Sequence, residues 1–487
     1  MEYVSTRGGS KKVSSAEAIK NGLCEDGGLY MPESIPALTE EDLKKLAPMD
    51  YAHRAAYIIG LFLTDYDKDT LEKLCMQAYR ESAFGKHPAP VAPRGDLDVL
   101  ELWHGPTCAF KDMALQLTPL LLSEALRMTG EKRTAEILVA TSGDTGKAAL
   151  EGFRDVDQTR ILVFYPKDGV SALQKRQMMT QEGNNVGVCG IEGNFDDAQS
   201  AVKTIFADKE LCERIGKRAF FSSANSINWG RLVPQVVYYV SAYLDMLAAG
   251  RIKAGEPINV CVPTGNFGDI FAGYIAKRMG VKIDRLICAS NSNKVLTDFF
   301  ETGVYDRRRE FFTTISPSMD ILVSSNLERM LYLICGAEKT KGYMDSLKKD
   351  GCYRISPEEL EELRSSYTGM WQSEKETSDT IRRSWEKFGY LCDPHTAVAI
   401  GCAEKAKLNG RTLVLSTASP YKFTGSVCRA LGKDPGNDEL KAVDVLNSLT
   451  AVPIPEGIEK ARKGEVRFTD TVTKDRIKDT VLDFIEK

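Results

Sequence analysis

The order of apolar and polar positions divides the chain into two regimes. Up to about residue 95, apolar residues recur at helical spacing, as in 56–63 and 71–79, and predict a mostly helical N-terminal unit. Thr39-Glu40-Glu41-Asp42-Leu43 predicts a helix start, with Thr39 as N-cap and Asp42 at the third helical position. Pro88, Pro90 and Pro93 predict an irregular linker after it. From Val99 onward, short apolar runs alternate with helical stretches. Residues 136–140, 160–164 and 186–189 read as strands of one sheet, and 259–262, 285–289 and 412–415 as strands of another, while 171–181 reads as helix. Apolar strands separated by helical segments predict parallel sheets with crossover helices. The predicted fold class is α/β: two parallel-sheet domains with flanking helices, plus an N-terminal mostly helical domain. Its expected limits are 1–95 for the helical domain, 96–220 for a smaller α/β domain and 221–430 for a larger one. A tail, 431–487, is expected to pack on the larger domain. The larger domain carries a helical insertion in which Ser356-Pro357-Glu358-Glu359 forms a capping box.

Three loops carry the chemistry. His104-Gly105-Pro106-Thr107-Cys108-Ala109-Phe110-Lys111-Asp112 puts a lysine just past a Gly-Pro turn, at the start of a helix-like run. A free lysine is protonated at neutral pH, so an imine-forming lysine needs desolvation to lower its pKa. Taken alone, a surface lysine at a helix start explains Lys111 equally well. The 136–140 strand runs into Thr141-Ser142-Gly143-Asp144-Thr145-Gly146, and the 259–262 strand into Pro263-Thr264-Gly265-Asn266-Phe267-Gly268-Asp269, each followed by a helix. Strand, glycine loop and helix together aim backbone N–H groups and the positive helix end at an anion. Neither loop has the spacing of a Walker A loop or of G-x-G-x-x-G.

Composition narrows the partners. The 487 residues are 43% apolar and 27% charged with a net charge of −4, which gives no reason to expect nucleic acid or an anionic membrane. Arg307-Arg308-Arg309 lies between Asp306 and Glu310 and reads as a solvated face. Twelve scattered cysteines without a C-x-x-C pair read as core thiols in a reducing compartment, and four histidines without H-E-x-x-H spacing give metal chemistry no support. No apolar stretch approaches the ~20 residues of a membrane span. Met1-Glu2-Tyr3-Val4 lacks the layout of a signal peptide, so a cytoplasmic location is expected.

The loops together resemble the threonine synthase family of pyridoxal-phosphate enzymes, of the tryptophan-synthase-β-like fold. His104–Asp112 matches H-G-P-T-x-A-F-K-D, 141–146 matches T-S-G-D-T-G and 264–269 matches T-G-N-F-G-D. Ser226-Ile227-Asn228-Trp229-Gly230-Arg231 resembles S-I-N-W-x-R, and Ser5–Gly8 with Asp26–Pro32 resembles the family's opening. Asp393-Pro394-His395-Thr396-Ala397 and Thr417-Ala418-Ser419-Pro420-Tyr421-Lys422-Phe423 resemble its closing motifs. One departure is Ser419, where relatives carry histidine.

The resemblance implies conversion of O-phosphohomoserine and water into threonine and phosphate, with both sheet domains enclosing the cofactor. It implies that Lys111 carries pyridoxal 5′-phosphate and is the catalytic residue. The backbone N–H groups of Gly265, Asn266, Phe267 and Gly268 would hold the cofactor phosphate. Asp269 is either oriented by the helix dipole or a plain N-cap. Thr417 would face the pyridine nitrogen, where a hydroxyl does not enforce protonation as a carboxylate does; as a strand-end turn residue it needs no such role. Ser142, Gly143, Asp144 and Thr145 are expected to offer donors to the substrate α-carboxylate. Asn228 and Arg231, with Asn225 and Ser226, are expected at the substrate's phosphate, because a guanidinium fork fits phosphate oxygens. Trp229 is expected in the core. A dehydratase of the same fold shares the lysine and phosphate loop but needs no second phosphate site. A non-catalytic relative would have no need of an intact Lys111 and Thr417.

Overall fold

The computed structural model describes residues 1–487 apart from 142, 168, 169 and 487, and all described side chains but those of 195 and 196. Runs that are apolar along their whole length become strands buried on both faces, and these can only be interior strands of helix-covered sheets. The larger sheet runs in the order Tyr367–Trp371, Ile283–Ser290, Ile258–Pro263, Thr412–Ser416, Leu97–Glu101, Val91–Arg94. All its neighbours are parallel except the last pair. The smaller sheet is parallel throughout, in the order Thr471–Thr473, Val186–Glu192, Thr159–Pro166, Thr134–Ala140, Ala219–Ser222. The α/β class with two parallel sheets is therefore as expected.

The N-terminal segment holds the expected helices, among them Glu40–Leu46, Tyr51–Gly60 and Lys68–Ala78, the first opened by the Thr39/Asp42 capping box. It also forms a two-stranded antiparallel pair, Tyr3–Ser5 with Tyr30–Pro32. The helix Trp229–Ala248 is buried along nearly its whole length and packs against Tyr51–Gly60 and Gly268–Met279, so it is the spine between the N-terminal helices and the larger sheet. A helix apolar all round is stable only in such a position.

Two expected limits are corrected. Pro93 lies inside the antiparallel edge strand Val91–Arg94, and Leu97–Glu101 pairs with Thr412–Ser416, so residues 91–101 belong to the larger sheet and not to a linker and the smaller unit. An edge position tolerates the missing proline N–H. The tail does not pack on the larger unit alone. Thr471–Thr473 adds a strand to the smaller sheet, and the helix Ile477–Glu486 buries Ile477 and Val481 against Leu162, Ile191 and Val202. All twelve cysteines are free thiols. Among the described residues no helix is long and apolar enough to cross a membrane.

Candidate active site

Lys111 is held from two sides. Asp112, buried, accepts from Thr107 N–H (2.8 Å) and Thr107 Oγ1 (2.7 Å) and so folds the Gly-Pro turn back on itself. A side chain at Gly105 would come within 2.5 Å of Asp112 Cβ, which is why glycine stands there. On the other side, Phe110 N–H donates to the Thr417 carbonyl (2.8 Å) and Ser419 N–H to the Cys108 carbonyl (3.0 Å). The lysine segment is thereby sewn to the carboxyl end of the Thr412–Ser416 strand, where ligands of parallel sheets bind.

The Lys111 side chain lines a narrow cavity with Phe110, Asp144, Ser318, His395 and Thr417. Its Nζ lies 4.7 Å from the Phe110 ring centre and makes no hydrogen bond or ion pair among the described residues. Burial lowers the Lys111 pKa; Asp144 and Asp269 oppose the shift, and Lys422 and Arg231 add to it. An amine so placed gives up its proton more readily than a free lysine does, as imine chemistry requires. Thr417, just past the end of its strand, lines the same cavity.

The 264–269 loop joins the Ile258–Pro263 strand to the Gly268–Met279 helix, with Phe267 left-handed (φ 62°) at the N-cap and no side chain capping the helix. Uncapped first-turn N–H groups are free to meet an anion. The loop is braced from outside: Ser324 Oγ donates to the Gly265 carbonyl (2.6 Å), and Asn326 donates to the Asn266 carbonyl from N–H (3.0 Å) and Nδ2 (3.2 Å). Asp269 corrects the expectation. It is the second helical residue and not the N-cap, and its Oδ1 accepts from Tyr238 (2.5 Å) and Tyr239 (2.7 Å). Its Oδ2 is buried without a partner, and burial, partly offset by both tyrosines and Lys111, pushes its pKa up to about 6.

In the other glycine loop, Ser142 lies outside the described residues. Thr141 Oγ1 accepts from Gly143 N–H (3.0 Å) and Gly146 N–H (2.9 Å), and Gly143 has φ 138° with no room for a Cβ beside Gln174. Thr145 is half-buried on the same turn. Asp144 is no donor side chain: its buried carboxylate accepts from Lys422 Nζ (2.8 Å) and Gln174 Nε2 (2.8 Å). Burial would raise its pKa, but Lys422, Lys111 and Gln174 hold it well below the ordinary carboxylate value. An anion there repels a substrate carboxylate, so among the described residues the loop backbone and Thr145 are left for that task.

The 225–231 segment divides. Asn228 spends its amide on the fold, with Oδ1 accepting from Gly230 N–H (2.8 Å) as N-cap and Nδ2 donating to the Ile19 carbonyl (2.9 Å). It is not available to a phosphate. Trp229 is core, packed on Tyr3 and Phe62. Asn225 is exposed, and Ser226 Oγ accepts from Asn326 Nδ2 (3.0 Å) beside Gly268. Arg231 is different. Only 4% exposed, it donates from Nη1 to the Ala224 carbonyl, while its Nε is buried without a partner. Among the described residues no carboxylate pairs with it, and burial pulls its pKa down to about 10. A buried guanidinium without a counter-ion is costly unless a ligand supplies the anion.

Three further residues, His395 lining the cavity and Lys422 and Ser419 beside it, lie in the closing motifs but carry no role from sequence. His395 donates from Nδ1 to Asp393 Oδ2 (2.6 Å) and accepts Ser318 N–H on Nε2 (3.1 Å), which fixes its ring and pins the Ser318 turn over Gly265. Lys422 is fully buried and also donates to the Thr107 carbonyl (3.0 Å). Ser419, in the histidine's place, caps the short turn Pro420–Phe423 that aims Lys422 inward.

Family models described as "Threonine synthase N terminus" and "Pyridoxal-phosphate dependent enzyme" match residues 2–79 and 99–418. The chain is 39% identical over 445 residues to threonine synthase of Pseudomonas aeruginosa, across 89% of this chain and 92% of that one. It is 38% identical over 475 residues to threonine synthase-like 1 of Pongo abelii, across 93% of this chain but only 64% of that relative's length. A crystal structure of pyridoxal-phosphate-bound threonine synthase from Brucella melitensis superposes with a TM-score of 0.89 at 36% identity, covering 100% of this chain and 99% of that one. With a buried unpaired lysine, an uncapped helix behind a glycine loop and these relatives, the chain belongs to the threonine synthase family of pyridoxal-phosphate-dependent enzymes.

Proposed function

We propose that this chain converts O-phosphohomoserine and water into threonine and phosphate. The observation that carries the reading is Arg231: a guanidinium buried beside the Lys111 cavity, with no carboxylate of its own among the described residues. Enzymes of this fold whose single phosphate is the cofactor's need one phosphate site, and the helix start at Gly268 already offers it. A second cation waiting for an anion fits a substrate that carries a phosphate itself.

The residues fit pyridoxal phosphate. Lys111 offers the attachment amine, Gly265, Asn266, Phe267 and Gly268 the phosphate cradle, and Thr417 a hydroxyl at the end of the same cavity. When bound, the cofactor supplies a conjugated ring that spreads negative charge developing next to the substrate's amine-bearing carbon. Lys111, freed beside that carbon, takes the Cα proton and then serves the transfers at Cβ and Cγ, each within reach of one amine of lowered pKa. Arg231 holds the phosphate as it leaves Cγ and bears its growing charge through a bidentate fork. Gly143 and Thr145 orient the α-carboxylate by backbone and hydroxyl donors. Water adds at Cβ, and a lined, narrow cavity keeps other water out.

The test is direct. Purified protein supplied with pyridoxal phosphate should release inorganic phosphate and form threonine from O-phosphohomoserine in equal amounts. Consumption of serine or threonine with no turnover of O-phosphohomoserine would overturn the reading in favour of a dehydratase.

A further inference from the structure

Three cations, Lys111, Lys422 and Arg231, and two carboxylates, Asp144 and Asp269, meet at the cavity. They come from four elements around Lys111. Asp144 lies at the start of the Asp144–Phe153 helix, Lys422 on the turn after Thr412–Ser416, Arg231 on Trp229–Ala248 and Asp269 on Gly268–Met279. His395 faces the cavity with Nδ1 on Asp393, and Asp112, on the lysine's own helix, is turned to Thr107. Both carboxylates that face Lys111 are already engaged. Asp269 Oδ1 is held by two tyrosine hydroxyls, and Asp144 Oδ1 by Lys422 and Gln174. Lys422 is fully buried, makes its ion pair at 2.8 Å, and gives another hydrogen bond to the carbonyl of Thr107 in the lysine's own turn. It therefore ties the smaller sheet's glycine loop, the larger sheet's strand end and the Lys111 turn at a single nitrogen.

We propose that Lys422 is a positioning residue that acts on Lys111 by occupying Asp144: with Lys422 in place, Lys111 is the one amine of the cavity without a carboxylate to itself. This rests on the reading of Lys111 as the reacting lysine. The physical reason is competition for a single anion. One carboxylate between two ammonium groups neutralises the one in contact, and the remaining positive charge disfavours a proton on the other. Without Lys422, Asp144 would turn to Lys111 and hold its proton there, and a protonated amine cannot attack an aldehyde. A purely structural tie would make no such difference.

The experiment uses the full chain stripped of cofactor and re-offered pyridoxal 5′-phosphate, with the rate of capture followed by absorbance from pH 5.5 to 10. The amine's lone pair attacks the aldehyde carbon and the oxygen leaves as water, so the rate follows the unprotonated fraction of Lys111. In Lys422→Met the midpoint should rise by about one pH unit, with capture roughly fivefold slower at the wild-type midpoint and equal at high pH. In Asp144→Asn, which keeps the shape and the Lys422 charge, the midpoint should fall. If the methionine variant does not fold, Lys422→Gln, which removes the charge but keeps a donor for Asp144 and Thr107, takes its place with the same expected rise. An unchanged midpoint with a uniform loss of rate in either folded variant would overturn the proposal and make Lys422 a structural tie. Lys111→Ala is the control: capture that persists there refutes the lysine assignment itself, and not the role of Lys422.

Discussion

Replacing Arg231 separates a substrate-phosphate site from a packing role, because the two make opposite demands on the ligand-free protein. Arg231 is 4% exposed, is anchored by one bond to the Ala224 carbonyl, and leaves Nε orphaned. Each charge-assisted bond to phosphate is worth ~1.5–3 kcal/mol, so losing a two-bond contact, after partial compensation by water, costs ~2–4 kcal/mol. That corresponds to about a 30- to 1,000-fold fall in kcat/KM for O-phosphohomoserine in Arg231→Met, measured by phosphate release. Arg231→Lys should recover only part, since an ammonium keeps the charge but not the fork. Without ligand, Arg231→Met should melt no lower than wild type, because it removes a desolvated, uncompensated cation and keeps much of the volume. With pyridoxal phosphate bound and filling the helix-start site, inorganic phosphate at about 100 times its Kd should stabilise wild type by ~2.7 kcal/mol and leave Arg231→Met unmoved. A variant with kcat/KM within threefold of wild type would refute the reasoning. So would lost cofactor affinity with intact substrate kinetics, which would assign the guanidinium to the cofactor phosphate. Sequence distance gives no protection against that outcome, since Ser226 lies against Gly268 in space.

Lys111→Ala should abolish turnover and the visible absorbance of lysine-bound cofactor while the far-ultraviolet circular dichroism stays native; retained absorbance after dialysis would point to another lysine. Gly268→Val puts a branched side chain 3.2 Å from Asn326 Nδ2 and should weaken pyridoxal phosphate binding by ~3 kcal/mol, on the order of 100-fold, in a titration of the cofactor-free chain. Unchanged affinity would mean that the phosphate sits elsewhere. Asp269→Asn tests the buried carboxylate through pH. Because burial raises its pKa in the folded chain from 3.8 to about 6, the stability it contributes is full below pH 4 and lost as pH rises through about 6. At pH 7.5 the ligand-free asparagine variant should therefore be more stable than wild type by about 3 kcal/mol, with the difference gone at pH 4. The same difference at both pH values would contradict the carboxylate's assignment.

The parts of this fold that were legible are those where one local signal decides. Residues 260–262 and 413–415 are apolar throughout and read as the centres of buried strands, and the 264–269 glycine loop follows directly from the first. Thr471–Thr473 left no such mark, being three residues long and largely exposed, and its place depends on Val186–Glu192 offering a free edge. Polar side chains were read less well for a related reason. An asparagine before Trp-Gly-Arg suits a phosphate and a helix cap alike, and what decides is the Ile19 carbonyl, 209 residues away. Lys422 was in view within a recognisable motif, but its partner Asp144 becomes a partner only when the two sheets meet. Asp144 itself was assigned to donors because its loop is rich in them, although its side chain can only accept.

The charge layout explains why such a site needs its ligands in order to be comfortable. Asp144 balances one of the three buried cations, and Asp269, pushed towards its protonated form, balances little of the other two. The ligand-free cavity is therefore short of negative charge, and burial there lowers the Lys111 pKa. A phosphate at the uncapped helix start and another at Arg231 supply what is missing without placing an anion against Lys111 itself. Each phosphate would answer its own cation or helix start, and like charges in desolvated surroundings do not help one another to bind, while the amine between them stays free to accept protons. On this arrangement the loss of phosphate from the substrate removes an anion from Arg231 only after the carbon–oxygen bond has broken, so the same contact that binds the substrate also stabilises the departing group.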